Sequence, residues 1–213
     1  MTLFSLYRQN KLFFAVFFLF AVVSVFLLIY FTKENGFYLL NPYHNNFFTY
    51  FFIWFTYLGD GFFCVAIAIL LFVFKHRFLG LMVFASYAVS GIIAQVLKYF
   101  IVEARPAVYL QKSTYRYFID DVTLHNYHSF PSGHSVSAFA LAAVLSFSVK
   151  NKNYSILFLI AAILVGYSRI YLAQHFLDDV LAGAMIGVLS GIFCWMFFDK
   201  IFKRLLSYKR KIR

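Results

Sequence analysis

Eight residues between positions 98 and 179 have the types and spacing to handle a phosphate group: Lys98, Arg105, Ser132, Gly133, His134, Arg169, His175 and Asp179. A phosphoryl group in transfer spreads negative charge over three equatorial oxygens, and its catalysis is mostly positioning plus electrostatic stabilisation. Lys98, Arg105 and Arg169 offer three positive charges, two of them planar forks that suit phosphate oxygens. Lys98 and Arg105 stand seven apart, about 10 Å on a continuous helix. Pro106 pushes Arg105 out of helical geometry, which would let both cations reach one small anion. Ser132 and Gly133 open an apolar run, and the free N–H groups of a helix start form an anion site. Gly133 allows close backbone approach. Asp179 follows His175 by four, so the two share a face of any helix formed there. A carboxylate holding one imidazole nitrogen leaves the other free to attack phosphorus. His134, arriving from a different segment, could protonate a leaving oxygen and later activate water. Spacing alone leaves open which histidine attacks. With three cations available the chemistry requires no metal, and none is expected, nor any other cofactor.

These residues must be carried by membrane helices. Of 213 residues, 63% are hydrophobic and 13% charged, against about 25% charged in an ordinary soluble domain. A soluble fold of this length could not hide 31 Phe and 16 Tyr side chains. Six apolar segments, about 12–31, 48–74, 78–100, 132–149, 154–173 and 179–199, are read as spans of an all-α, six-helix transmembrane bundle. The first is too long for the apolar part of a signal peptide and has no small-residue cleavage site after it, so it is expected to be retained. No repeat, linker or low-complexity segment interrupts residues 1–213, so a single domain is expected. With both termini cytoplasmic, Arg8, Lys11, Lys75, Arg77, Lys150, Lys152 and the seven basic residues from Lys200 to Arg213 face inward, thirteen in all. Lys33, Lys98, Arg105, Lys112, Arg116 and Arg169 make six outside, in line with the positive-inside rule. The same topology puts all the phosphate-handling residues on the outer side. The formal charge of +11 is concentrated in a tail that directly follows an apolar run. Its natural partner is anionic headgroups rather than nucleic acid.

The pattern Lys98, six residues, Arg105-Pro106; Pro131-Ser132-Gly133-His134; Ser168-Arg169, five residues, His175, three residues, Asp179 resembles the type 2 phosphatidic acid phosphatase (PAP2) superfamily. That superfamily also includes vanadium-dependent haloperoxidases. All eleven specified positions match, and the likeness extends to the six-helix arrangement. The resemblance implies a metal-independent integral membrane lipid phosphatase. His175 would be the nucleophile of a phosphohistidine intermediate, Asp179 its orienting acid and His134 the general acid and base. Lys98, Arg105, Ser132, Gly133 and Arg169 would bind the substrate phosphate. The family's substrates include phosphatidate, phosphatidylglycerol phosphate, undecaprenyl diphosphate and phosphorylated lipid A, and its small compact chains suggest a bacterial inner membrane with the site facing the periplasm or exterior. Selectivity is expected in loop 107–130 and in the surfaces between spans. The same residues would serve a lipid phosphotransferase. A vestigial lipid-binding or translocating protein would have no reason to keep His134, His175 and Asp179 together.

Other polar residues have plainer readings. Glu103 is expected to pair with Arg105 or face water, and Asp178 is a weaker candidate than Asp179 for the orienting acid. Asp60, flanked by Gly59 and Gly61 inside the second span, is either functional or a satisfied bundle partner. His125 and His128 suit loop contacts, and His44 and His76 suit solvated loops. Cys64 and Cys194 lie in apolar runs and read as small buried hydrophobes.

Overall fold

The computed structural model describes residues 2–110, 118–119 and 122–211, with side chains up to Phe202. All regular structure among these residues is helical. Lys112, Arg116, Asp120, Asp121 and much of loop 107–130, where selectivity is expected, lie outside them.

Among the described residues, four helices are long and apolar enough to cross a membrane: α2 (Lys11–Tyr30), α6 (Arg77–Phe100), α9 (Tyr154–Tyr171) and α10, which is apolar through Phe202 and continues to Lys211. A fifth span is broken. Helix α4 (Asn46–Phe55) passes through a 3-10 turn (Thr56–Gly59) into α5 (Gly61–Val73), with a bend of 56°. Asp60 sits at the break in extended geometry and accepts a hydrogen bond from Phe62 N at 2.9 Å, so it caps α5. The segment expected as the fourth span is α8 (Gly133–Ser148), only 16 residues or about 24 Å long. That is shorter than the hydrocarbon core. Twelve of its residues are buried against other helices, so it has protein rather than lipid to match.

Two short helices precede the second span. Helix α1 (Leu3–Gln9) runs into α2 and buries Leu6. Residues 32–47, read from sequence as a loop, contain α3 (Lys33–Leu40), whose first turn is capped by the Thr32 hydroxyl. Phe37 of α3 packs edge-on to Phe176 at 5.5 Å, which docks this helix over the chain between α9 and α10. Asn41, just beyond it, donates to the carbonyls of Ile170 and Tyr171. His44 is not a solvated loop residue: its Nε2 lies 2.9 Å from the Tyr171 carbonyl and its ring lies on Tyr171.

Helix α8 is the centre of the bundle, packed on α6, α9 and α10. In lipid, helices gain little from leaving one apolar medium for another, so association depends on close packing. Glycines at four-residue intervals on α10 supply it. A Cβ at Gly183 would lie 2.7 Å from the Ser132 carbonyl oxygen, one at Gly187 2.5 Å from that of Val136, and one at Gly191 2.8 Å from Ala143 Cβ. Phe13, Phe139, Leu159 and Val165 fill the space behind this contact. The outward faces carry exposed apolar side chains such as Phe18, Ile29, Phe62 and Phe193, as a lipid-facing surface requires. Cys64 and Cys194 are both free and buried.

Candidate active site

Four helix ends meet at one end of the bundle. Lys98 is third from the end of α6 and Arg169 third from the end of α9. His134 is the second residue of α8, and Asp179 the third of α10. Helix α6 stops at Phe100, and the chain is extended by Arg105 (φ −79°, ψ 164°), where Pro106 opens the four-residue helix α7 (Pro106–Tyr109). Two backbone bonds then pair this stretch with the chain returning toward α8: Arg105 N to Asn126 O at 2.9 Å, and Ser129 N to Glu103 O at 3.2 Å.

That pairing fixes the cations. Lys98 Nζ donates to the His128 carbonyl and, at 3.4 Å, to that of Ser129, while His128 Nδ1 lies 2.8 Å from the Lys98 carbonyl. Arg105 donates through Nε to the Tyr127 carbonyl and through Nη1 to both the backbone and side-chain oxygens of Gln174. Arg169 is 8% exposed and donates through Nη1 to Thr56 Oγ1 at 2.8 Å. Its Nε is buried with no partner among the described residues. Such an N–H carries the cost of lost hydration until an acceptor arrives, and an anionic oxygen is the strongest acceptor for a guanidinium.

Ser132 is the N-cap of α8. Its carbonyl accepts from Val136 N and its hydroxyl accepts from Ser135 N and Ser135 Oγ. Neither oxygen claims the amides of Gly133 and His134. Among the described residues a Cβ added to Gly133 would meet nothing within 4 Å, so no neighbour crowds the first residue of this helix.

His175 lies in the turn between α9 and α10, closed by Ala173 at φ 51° and by its own N–H donating to the Arg169 carbonyl. The ring is 2% exposed. Burial, then the charges of Arg105, Arg169 and Lys98, hold its pKa well below the usual histidine value, so the imidazole is neutral. Its Nδ1 lies 3.3 Å from Asp179 Oδ2. Between a neutral ring and a carboxylate this is an N–H donated to an anion rather than an ion pair, and it leaves the lone pair on Nε2. Asp179 is in turn held by two donors on the same Oδ2, the Ser129 hydroxyl and the Phe176 N–H. His134 is within electrostatic reach of Arg169, His175 and Arg105.

All eight residues singled out from sequence therefore converge. Four further groups support them without having been foreseen. Ser129 touches both His175 and Asp179, Gln174 holds Arg105, Thr56 holds Arg169, and Lys33 reaches the acidic residues beside the site. Glu103 pairs not with Arg105 but with Lys33, at 2.7 Å, and its side chain, 38% exposed, also faces water. Asp60, beyond capping α5, lies close enough to Arg169 to interact with its charge.

The family model described as the PAP2 superfamily matches residues 79–203. Phosphatidylglycerophosphatase B of Bacillus subtilis is 31% identical over 164 residues, which is 70% of this chain and 74% of that protein. The undecaprenyl-diphosphatase of Sulfolobus acidocaldarius is 29% identical over 130 residues, 61% of this chain and 60% of that one. Among solved structures, LpxE of Aquifex aeolicus aligns with a TM-score of 0.65 at 31% identity, covering 76% of this chain and 94% of that one.

Proposed function

The chain belongs to the PAP2 superfamily, and from that premise we propose that it is a metal-independent phosphatase of a membrane lipid phosphate or diphosphate, acting through a phosphohistidine. The observation that carries this is the buried, neutral His175, its Nδ1 on Asp179 and three cations around it. His175 Nε2 attacks phosphorus as the bond to the lipid oxygen breaks, and His134 gives that oxygen its proton. Arg169, Arg105, Lys98 and the Gly133 and His134 amides receive the charge on the phosphoryl oxygens. His134, now neutral, takes a proton from water as the water oxygen attacks phosphorus. The bond to Nε2 breaks, and inorganic phosphate leaves. Relatives that act on phosphatidylglycerophosphate and undecaprenyl diphosphate, by their names, support a lipid as the alcohol or phosphate left behind.

The test is phosphate release from a panel of lipid phosphates by the purified protein. Phosphatidate, phosphatidylglycerol phosphate, undecaprenyl diphosphate and phosphorylated lipid A form the panel. At least one is expected to be hydrolysed with EDTA present, and vanadate, which adopts a trigonal bipyramid, is expected to inhibit. Activity appearing only with added magnesium would overturn the site as drawn. Transfer of the phosphate to a second lipid in place of water would make the protein a phosphotransferase.

The same proposal includes six crossings, both termini in the cytoplasm and the site on the outer face of a bacterial inner membrane. Single cysteines at Tyr127, beside Arg105, and His76, in the exposed turn at the other end of α6, test it in a background lacking Cys64 and Cys194. An impermeant maleimide added to intact cells is expected to label position 127 and spare 76. The reverse result would invert the orientation.

A further inference from the structure

Beside the candidate site, Glu103, Asp178 and Asp179 place one carboxylate oxygen each within 4.8 Å of one another. Two ligand oxygens on opposite sides of a calcium ion are separated by about 4.8 Å, so this is the spacing of a divalent cation site. A cation already stands there. Lys33 Nζ is 2.7 Å from Glu103 Oε2 and 2.8 Å from Asp178 Oδ2. It also lies 4.7 Å from the centre of the Phe176 ring, whose backbone N–H donates to Asp179. Through these contacts the first residue of α3 joins the chain just before Arg105 to the first turn of α10. Burial acts to lower the Lys33 pKa, but the hydrogen bonds to Asp178 and Glu103 and the charges of Asp178 and Asp179 together raise it above normal, so the ammonium keeps its charge.

We propose that Lys33 is a positioning residue for the His175–Asp179 pair, acting as the built-in cation of a three-carboxylate cluster that would otherwise repel itself apart. Asp179 has one oxygen fully committed to Ser129, Phe176 and His175, while Oδ1 is buried with no partner among the described residues. Without Lys33, the mutual repulsion of three acids falls on the element that orients the imidazole. The relief available is movement of Asp178–Asp179 away from Glu103 or uptake of a proton by the cluster. Both disturb the hydrogen bond to His175 Nδ1. The inference rests on His175 and Asp179 being the working pair of the proposed phosphatase.

Its test compares Lys33→Ala, Lys33→Arg and the double variant Lys33→Ala with Glu103→Gln, each purified and assayed on a lipid phosphate that the wild-type protein hydrolyses. Lys33→Ala is expected to lower kcat about 10–100-fold, the range of losses for groups that orient a site from behind. KM should move much less, because Lys33 does not reach the phosphate-binding groups. Lys33→Arg is expected to retain most of the activity. The double variant is expected to recover part of it, since it removes one negative charge along with the cation. Millimolar calcium or magnesium is expected to restore Lys33→Ala, and EDTA to reverse that, while neither alters the wild type. Full activity in Lys33→Ala would overturn the inference. So would a loss that arginine, Glu103→Gln and divalent ions all fail to relieve, since that marks α3 as a mere packing element. A wild-type protein with no activity on the panel would refute the phosphatase itself, a result separable from either of these.

Discussion

His175→Ala is expected to lower turnover by about 10^4-fold or more, the scale of losing a nucleophile from a concerted site, and to abolish any trapped phosphoenzyme. His134→Ala is expected to differ in kind. A lipid alkoxide leaves poorly without a proton, so its release should slow sharply, whereas p-nitrophenolate leaves without help. With p-nitrophenyl phosphate, His134→Ala should complete the first step and then accumulate phosphoenzyme, because water is no longer activated. Asp179→Asn should fall between the two, keeping the ring but losing the charge that orients it. Rapid-quench trapping of an acid-labile, base-stable phosphoenzyme measures all three. If His175→Ala accumulates it and His134→Ala does not, the roles are exchanged. The pH profile adds a sign. Burial and the neighbouring cations keep His175 unprotonated below the usual histidine range, so the acidic limb of kcat/KM should lie below about pH 6.5. Arg105→Gln removes one of those cations, eases protonation of the ring and should move the limb to higher pH.

Gly187→Ala is expected to destabilise the protein by about 1–3 kcal/mol, and Gly187→Leu by more, as overpacking does. The added Cβ would sit 2.5 Å from the Val136 carbonyl oxygen and 2.8 Å from Ala140 N. Both are backbone atoms of α8, so the helix itself must shift. Since Ser132 and His134 stand at the start of α8, activity should fall with stability. Gly91→Ala on α6 is the control: its Cβ would meet nothing within 4 Å, and the gain in helix propensity should leave it neutral or slightly stabilising. Thermal melting in detergent separates the two. Equal melting of Gly187→Leu and wild type would exclude the close α8–α10 contact.

The contrast between these two sets of residues shows what one sequence discloses. Lys98, Arg105-Pro106, Pro131 to His134, and Arg169 to Asp179 were legible because each group is local, with short spacings tied to helix starts and ends. The apolar runs located the helices for the same reason. Thr56 and Arg169 are 113 positions apart, Ser129 and Asp179 fifty, and Lys33 and Glu103 seventy. No periodicity links such pairs; only the bundle brings them together. Helix α3 escaped because Thr32 to Leu40 is short and of mixed polarity. Asp60 stands out in the sequence as an acid inside an apolar run, but its work as a cap depends on a break in the span that composition does not signal. The four-residue spacing of Gly183, Gly187 and Gly191 was readable as a close-packing signal, and only the structure shows that its partner is α8.

Lys33, Thr56 and Asp60 also share a location along the chain. The family match begins at residue 79, so all three enter the site from the stretch that precedes it. The histidines proposed to make and break the phosphorus bond lie inside that matched portion of the chain. Support for Arg169 comes from outside it, in the bent second span, and the neighbours of Asp179 are held by the first residue of α3, since Lys33 pairs with Asp178 and Glu103. A graft of residues 98–179 onto another bundle would carry the reacting groups with Ser129 and Gln174 and leave Lys33, Thr56 and Asp60 behind. In such an arrangement the reacting groups travel as one block of sequence, while part of what holds them is written in the opening third of the protein.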